Sequence, residues 1–270
     1  MRREARILSS VGEIRSLDPG IGSRKLWLML RDVYGSDWMP GRDAFFRILR
    51  RNKLMQHRPK PRRTTNSNHR YHKWKNLVRG IRLTHANQLW VGDITYIDTD
   101  GGCCYLHLVT DAYSKKIVGW CLAPSLSATH TLAALRMAVG QAERKDLSGL
   151  IHHSDRGIQY CCDLYVEELQ RHGILISMTE DYKPTDNAIA ERVNGIIKTE
   201  HVYRQEQRFS NLDDALQHIG RFVDFYNNQR PHMSIGMQTP SVAHGQTGEQ
   251  KKMWKKKNYQ KNEQILRTNS

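Results

Sequence analysis

Three acidic residues stand where their surroundings point to chemistry. Asp93 lies in Trp90-Val91-Gly92-Asp93-Ile94-Thr95-Tyr96-Ile97, Asp155 in His152-His153-Ser154-Asp155-Arg156-Gly157, and Glu191 in Asn187-Ala188-Ile189-Ala190-Glu191-Arg192-Val193-Asn194. An ionised carboxylate inside an apolar strand is costly unless it is paired or metal-bound. Val91 and Thr95 share the face of Asp93, so a solvent-facing edge position fits the alternation poorly. Asp155 follows a strand end and opens a turn with Gly157, and alone it reads equally well as a turn or capping residue. Glu191, alone, is an ordinary helical glutamate. Taken together they offer oxygen donors from a strand, a strand end and a helix, a set that suits a hard divalent cation such as Mg²⁺. Such cations keep positions open for phosphate oxygens, so the chemistry indicated is that of phosphodiesters. Two ions about 3.5–4 Å apart would activate a water or 3′-hydroxyl and stabilise the leaving oxygen. Lys198, seven residues after Glu191, falls on the same helix face and can hold a phosphate there, or it can be a solvated surface lysine.

The elements that must position these groups are legible from Leu89 onward. Strands are expected over Leu89–Ile97, Cys104–Thr110, Lys116–Leu122, Leu150–His153 and Ile174–Ser177. Helices are expected over Thr129–Glu143, Asp163–Arg171, Asn187–Val202 and Leu212–Asn227. The order β-β-β-α-β-α-β-α is that of a ribonuclease-H-like α/β fold, a mixed five-stranded sheet with flanking helices. In it the first and fourth strands are neighbours, so Asp93 and Asp155 can meet and the later helix can present Glu191.

Charge divides the chain into unlike parts. Residues 1–87 carry 21 Lys/Arg against 6 Asp/Glu, residues 88–240 carry 14 against 19, and residues 241–270 carry 7 against 2. An acidic centre between basic arms suits an enzyme that collects metal centrally and holds a polyanion at its edges. Within residues 1–55, two helices at about 20–55 outline a helix-turn-helix. Leu26, Leu30 and Val33 lie at helical spacing in the first. In the second, Ala44, Phe45, Ile48 and Leu49 share a face that leaves Arg42, Arg47, Arg50 and Arg51 largely elsewhere. Those arginines are candidate DNA contacts; the alternative is a helical hairpin with a solvated basic surface. Residues 56–86 read as a cationic linker without hydrophobic period, 87–240 as the catalytic core, and 241–270 as a poorly ordered basic tail.

The five cysteines, as Cys103-Cys104, Cys121 and Cys161-Cys162, form neither a disulfide framework nor a zinc spacing, and suit reduced thiols in a cytoplasmic protein. No apolar run is long enough to span a membrane, and the N-terminus lacks the apolar stretch of a secretory signal.

With these residues in place, the chain resembles a bacterial insertion-sequence transposase of the second-reading-frame (OrfB) type, with a retroviral-integrase-like DDE core. The likeness runs from about Gly22 to Pro240. It rests on the Trp90–Tyr96 strand, Asp111-Ala112-Tyr113-Ser114-Lys115-Lys116-Ile117-Val118-Gly119-Trp120, His153-Ser154-Asp155-Arg156-Gly157, Asn187–Glu191 with Lys198, and Tyr226-Asn227-Asn228-Gln229-Arg230-Pro231-His232. The resemblance implies that Asp93, Asp155 and Glu191 are catalytic acids and ligands of Mg²⁺ or Mn²⁺, two ions per site, and that Lys198 contacts element-end DNA. It implies DNA partners at the element ends and target, a homo-oligomer, and an upstream-frame (OrfA) partner. No heptad run or further helical domain is expected before residue 20. Gly92 departs from the threonine that many relatives carry before the first acid, which is expected to loosen the strand. Asp186 reads as a helix cap and Asp111 as a turn former. Two other readings compete: a plain ribonuclease-H-like nuclease or resolvase, and a DNA-binding regulator that has kept the core without catalysis.

Overall fold

The computed structural model describes residues 2–56, 70–142, 146–180 and 187–253. Five strands, β1 (Leu89–Thr99), β2 (Gly102–Asp111), β3 (Ile117–Ala123), β4 (Ile151–Ser154) and β5 (Leu175–Met178), form one sheet in the order β3-β2-β1-β4-β5. The first three pair antiparallel, as short turns permit, while β4 and β5 run parallel to β1 after helical crossovers. On one face, α4 (Ala128–Gln141), the short α5 (Ile158–Cys161) and α6 (Asp163–Arg171) bury Trp90, Val109, Val118, Leu135 and Tyr165. On the other, α7 (Ala188–Ile196) and α8 (Leu212–Asn228) bury Ile97, Leu106, Leu108, Ile196 and Phe222. The alternation of β1 explains this division: Trp90 and Ile94 point to one layer, Val91 and Ile97 to the other.

The expected Asn187–Val202 helix is not continuous. It is α-helical only through Ile196, then widens into a π turn over Ile197–His201 and a 3₁₀ turn over Val202–Arg204. The widened turn leaves carbonyls free of their usual partners, and the Glu200 carbonyl accepts the Gly20 N–H from outside the helix. A side chain at Gly20 would collide with the Glu200 backbone, its Cβ falling 2.3 Å from the Cα.

The N-terminal region has one helix more than expected. Besides α2 (Ser23–Tyr34) and α3 (Arg42–Arg51), α1 spans Arg2–Leu17 and places Ile7 and Val11 against Leu26, Leu30, Phe45 and Leu49. Val33, assigned to the apolar stripe of α2, is instead 73% exposed. Phe225 of α8 belongs to the same cluster, so this module packs directly on the core.

Residues 70–86 are more than a tether. Met178 N–H donates to the Lys75 carbonyl and Leu77 N–H to Ser177 Oγ, so the segment covers the free edge of β5. The expected tail begins as structure: α9 (Pro240–His244) follows the core, and Met253 N–H donates to the Met233 carbonyl. The rest of the linker and tail, and Asp186 with its expected capping role, lie outside the described residues. The five cysteines are free thiols, and among the described residues no helix is long and apolar enough to cross a membrane.

Candidate active site

Register brings the first two acids together. Leu89, Trp90 and Val91 pair with Ile151, His152 and His153. The same offset, carried two positions further, sets Asp93 beside Asp155 where β4 has just ended. Neighbouring parallel strands lie about 4.8 Å apart, so the two carboxylates emerge side by side from a split in the sheet. Asp155 is fixed by its own turn, with Oδ1 accepting the Gly157 N–H at 2.9 Å. A Cβ at Gly157 would lie 2.9 Å from that same oxygen, so a side chain there would make the Asp155 carboxylate shift.

Asp93 has neutral partners. Its Oδ1 accepts the Ile94 N–H at 2.9 Å and its Oδ2 accepts Asn194 Nδ2 at 2.6 Å. Burial and the charge of Asp155 push its carboxyl up to about 7, with a smaller push from Glu191. An acid destabilised in this way is one whose charge a cation would offset.

Asn187, Glu191, Asn194 and Lys198 recur at helical spacing on one face, and three of them reach β1. Asn187 Nδ2 donates to the Gly92 carbonyl at 3.2 Å, Asn194 holds Asp93, and the Lys198 ammonium lies 4.0 Å from the centre of the Tyr96 ring. Lys198 is half-buried, and that burial lowers its pKa. Glu191, between the two asparagines, is exposed in the first turn of α7. The structure thus joins Asp93 with Asp155 and puts Glu191 beside them without closing the set: among the described residues no three His, Cys, Asp or Glu side chains converge as a metal site. The donor chemistry nonetheless fits a hard divalent cation, with carboxylate oxygens around a partly buried acid that has no ion pair among the described residues. Residue typing missed Asn194 and Asn187. Two amides seven residues apart, on the helix face shared by Glu191 and Lys198, were the available signal.

Gly92 does not loosen the strand. It stays paired with Val109, and a Cβ there would come within 3.0 Å of both the His152 and Tyr160 rings, which fill the space beneath it. Asp111 is structural, as read: Oδ1 accepts the Ser114 N–H and hydroxyl, and Oδ2 the Asn87 N–H. Arg42, Arg47, Arg50 and Arg51 are all exposed on α3. Arg51 is tied to Glu4 of α1 and Arg42 to Asp43.

Residues 84–184 match the integrase core domain family, and residues 172–240 match a second family of the same description. A transposase assigned to insertion sequence element IS986/IS6110 of Mycobacterium tuberculosis is 31% identical over 240 residues, covering 87% of this chain and 85% of that protein. The chain belongs to the insertion-sequence transposases with an integrase core. A 31 kDa protein of insertion element IS600 from Shigella sonnei is 36% identical over 205 residues, 75% of this chain and 74% of that protein. Among solved structures, a chain of the simian T-cell lymphotropic virus intasome in complex with PP2A regulatory subunit B56 gamma is similar in fold. Its TM-score is 0.52 at 19% identity, over 86% of this chain and 73% of that chain. The first match spans β1 with Asp93 and the end of β4 with Asp155, and the second begins just after α6 and takes in α7, which bears Glu191.

Proposed function

We propose that the chain is a DDE-type polynucleotidyl transferase that nicks DNA at the ends of its element and joins the freed 3′-hydroxyl to target DNA. The observation that carries this reading is the Asp93–Asp155 register, with Asn194 clamping to Asp93 the helix on which Glu191 is mounted. Asp93, Asp155 and Glu191 would hold two Mg²⁺ or Mn²⁺ ions, Glu191 turning inward from its exposed position. Bound there, the ions supply Lewis-acid stabilisation of the scissile phosphate and a lowered pKa for the attacking hydroxyl. Asn194 keeps the Asp93 carboxylate aimed, and Lys198, displaced along β1 by about 10 Å, holds the DNA phosphate beyond the cut. Arg42, Arg47, Arg50 and Arg51 give α3 its basic outer surface for DNA, with Arg47 and Arg50 the two that no acidic side chain engages in the ion pairs seen. Synapsis of two ends calls for at least a homodimer, and an upstream-frame protein is the natural further partner.

The test is incubation with labelled terminal inverted repeats and Mg²⁺ or Mn²⁺. Nicked and joined products are expected, and Asp155→Asn abolishes both. Hydrolysis of arbitrary duplexes without joining would replace this reading with a nuclease. Specific binding without metal-dependent products would replace it with a regulator.

A further inference from the structure

The Tyr226–His232 segment carries chemistry that the acid site does not use. Arg230 is only 1% exposed, and its guanidinium grips Glu200 of the π turn with Nε and Nη2, each 2.8 Å from a carboxylate oxygen. Nη1 donates to His232 Nε2 at 2.6 Å. Burial and the adjacent Arg230 charge hold that imidazole well below its usual range, so it is neutral and can accept.

The N-terminal module supplies the remaining members. Lys25 of α2 reaches Glu200 Oε1 at 3.4 Å, and Asp18, with no exposed surface, lies 3.6 Å from Arg230 Nε. Burial and the charge of Glu200 push the Asp18 carboxyl well up, against the opposing pull of Arg230 and Lys25. Glu200 is therefore enclosed by two cations, Arg230 and Lys25, with Asp18 and His232 packed against Arg230. The Gly20 N–H adds a backbone bond to the Glu200 carbonyl. Three parts of the chain (residues 18–25, the π turn and the end of α8) meet nowhere else in so polar a contact among the described residues.

We propose that Asp18, Lys25, Glu200 and Arg230 are positioning residues that join the helical module to the helix bearing Glu191 and Lys198. Glu200 is two residues from Lys198 within a single π turn, so a displacement of α2 is passed to Lys198 and, through Asn194, to Asp93. DNA gripping the module then acts on the acids mechanically. The functional half of this inference rests on the transferase reading above; the mechanical half does not.

The experiment compares Lys25→Ala, Glu200→Gln and wild type as full-length protein. Amide hydrogen exchange over residues 188–204 and strand transfer on element-end DNA are both measured. Lys25→Ala keeps the Arg230–Glu200 pair, so it folds even where Glu200→Gln does not. In either variant, exchange in 188–204 is expected to quicken on the order of tenfold. kcat for transfer should fall while KM for DNA stays within about twofold. Unchanged exchange in 188–204 in folded Lys25→Ala would overturn the joint. Faster exchange with unaltered transfer would uphold the joint and overturn its coupling to the acids.

Discussion

Two of the groups of carboxylates drawn away from water in this chain are treated in opposite ways. Glu200 is met by a bidentate arginine and a lysine, and burial beside it pushes the Asp18 carboxyl well up. Asp93 faces a second acid, accepts hydrogen bonds from a neutral amide and a backbone N–H, and carries no ion pair among the described residues. A protein that can surround one acid with its own cations has left the other without one. The uncompensated pair is thus the place where an external cation has the most to offset, and the compensated cluster is the place where geometry is fixed.

The comparison can be broken most directly at its working end. Asp155→Asn should reduce strand transfer on the order of a thousandfold and raise metal-free stability by relieving Asp93, as read from product gels and thermal unfolding in EDTA. A lower melting temperature for the variant would show that the pair is not repulsive. The next effect lies in the other cluster. Arg230→Ala leaves Glu200 buried with only Lys25, and should cost about 3–5 kcal/mol in a denaturant titration. A cost below about 1 kcal/mol would mean that the cluster is not load-carrying at all.

Asn194→Ala gives a split result if Asn194 aims Asp93: about 10–100-fold in metal affinity or activity, against roughly 1 kcal/mol of stability. Proportionate losses in both would make it a packing residue. The smallest effect is that of pH. With the folded carboxyl of Asp93 at about 7 and its unfolded value near 4, the folded state holds the extra proton between them. Metal-free stability should therefore fall as pH rises through that window, by at most about 1.4 kcal/mol per unit from this group. Asp93→Asn should flatten the slope, and a slope unchanged by it would assign the proton elsewhere.

Much of the core was legible because it rests on local pattern. The alternation of Trp90 to Ile97 gave the central strand and the outlying acid, and strand order alone put Asp93 next to Asp155. What escaped depends on contacts between distant residues. The π turn forms where Gly20 meets Glu200, 180 residues later, and no propensity in Ile197–His201 announces it. Nothing in the local sequence singles out Asp18, and Arg230 enters only within the Tyr226–His232 stretch, because only each other, with Glu200 and Lys25, makes their burial tolerable. The first helix was a different case. Ile7, Val11 and Ile14 keep helical spacing, but Ser9, Ser10 and Gly12 stand between them and weaken the local helical signal. The start of the tail departs from expectation because Pro240–His244, though short, is secured by its N-cap Thr239 and by contact with the core.

One packing detail governs how this protein can be dissected. Phe225 of α8 is sealed beneath the N-terminal helices, within two turns of Arg230. A fragment cut at the composition boundary near residue 87 would open that seam, turning an aromatic ring and an arginine-bound glutamate out to solvent. Stickiness in such a fragment would be a property of the cut surface. The smallest faithful piece of this enzyme keeps its first three helices.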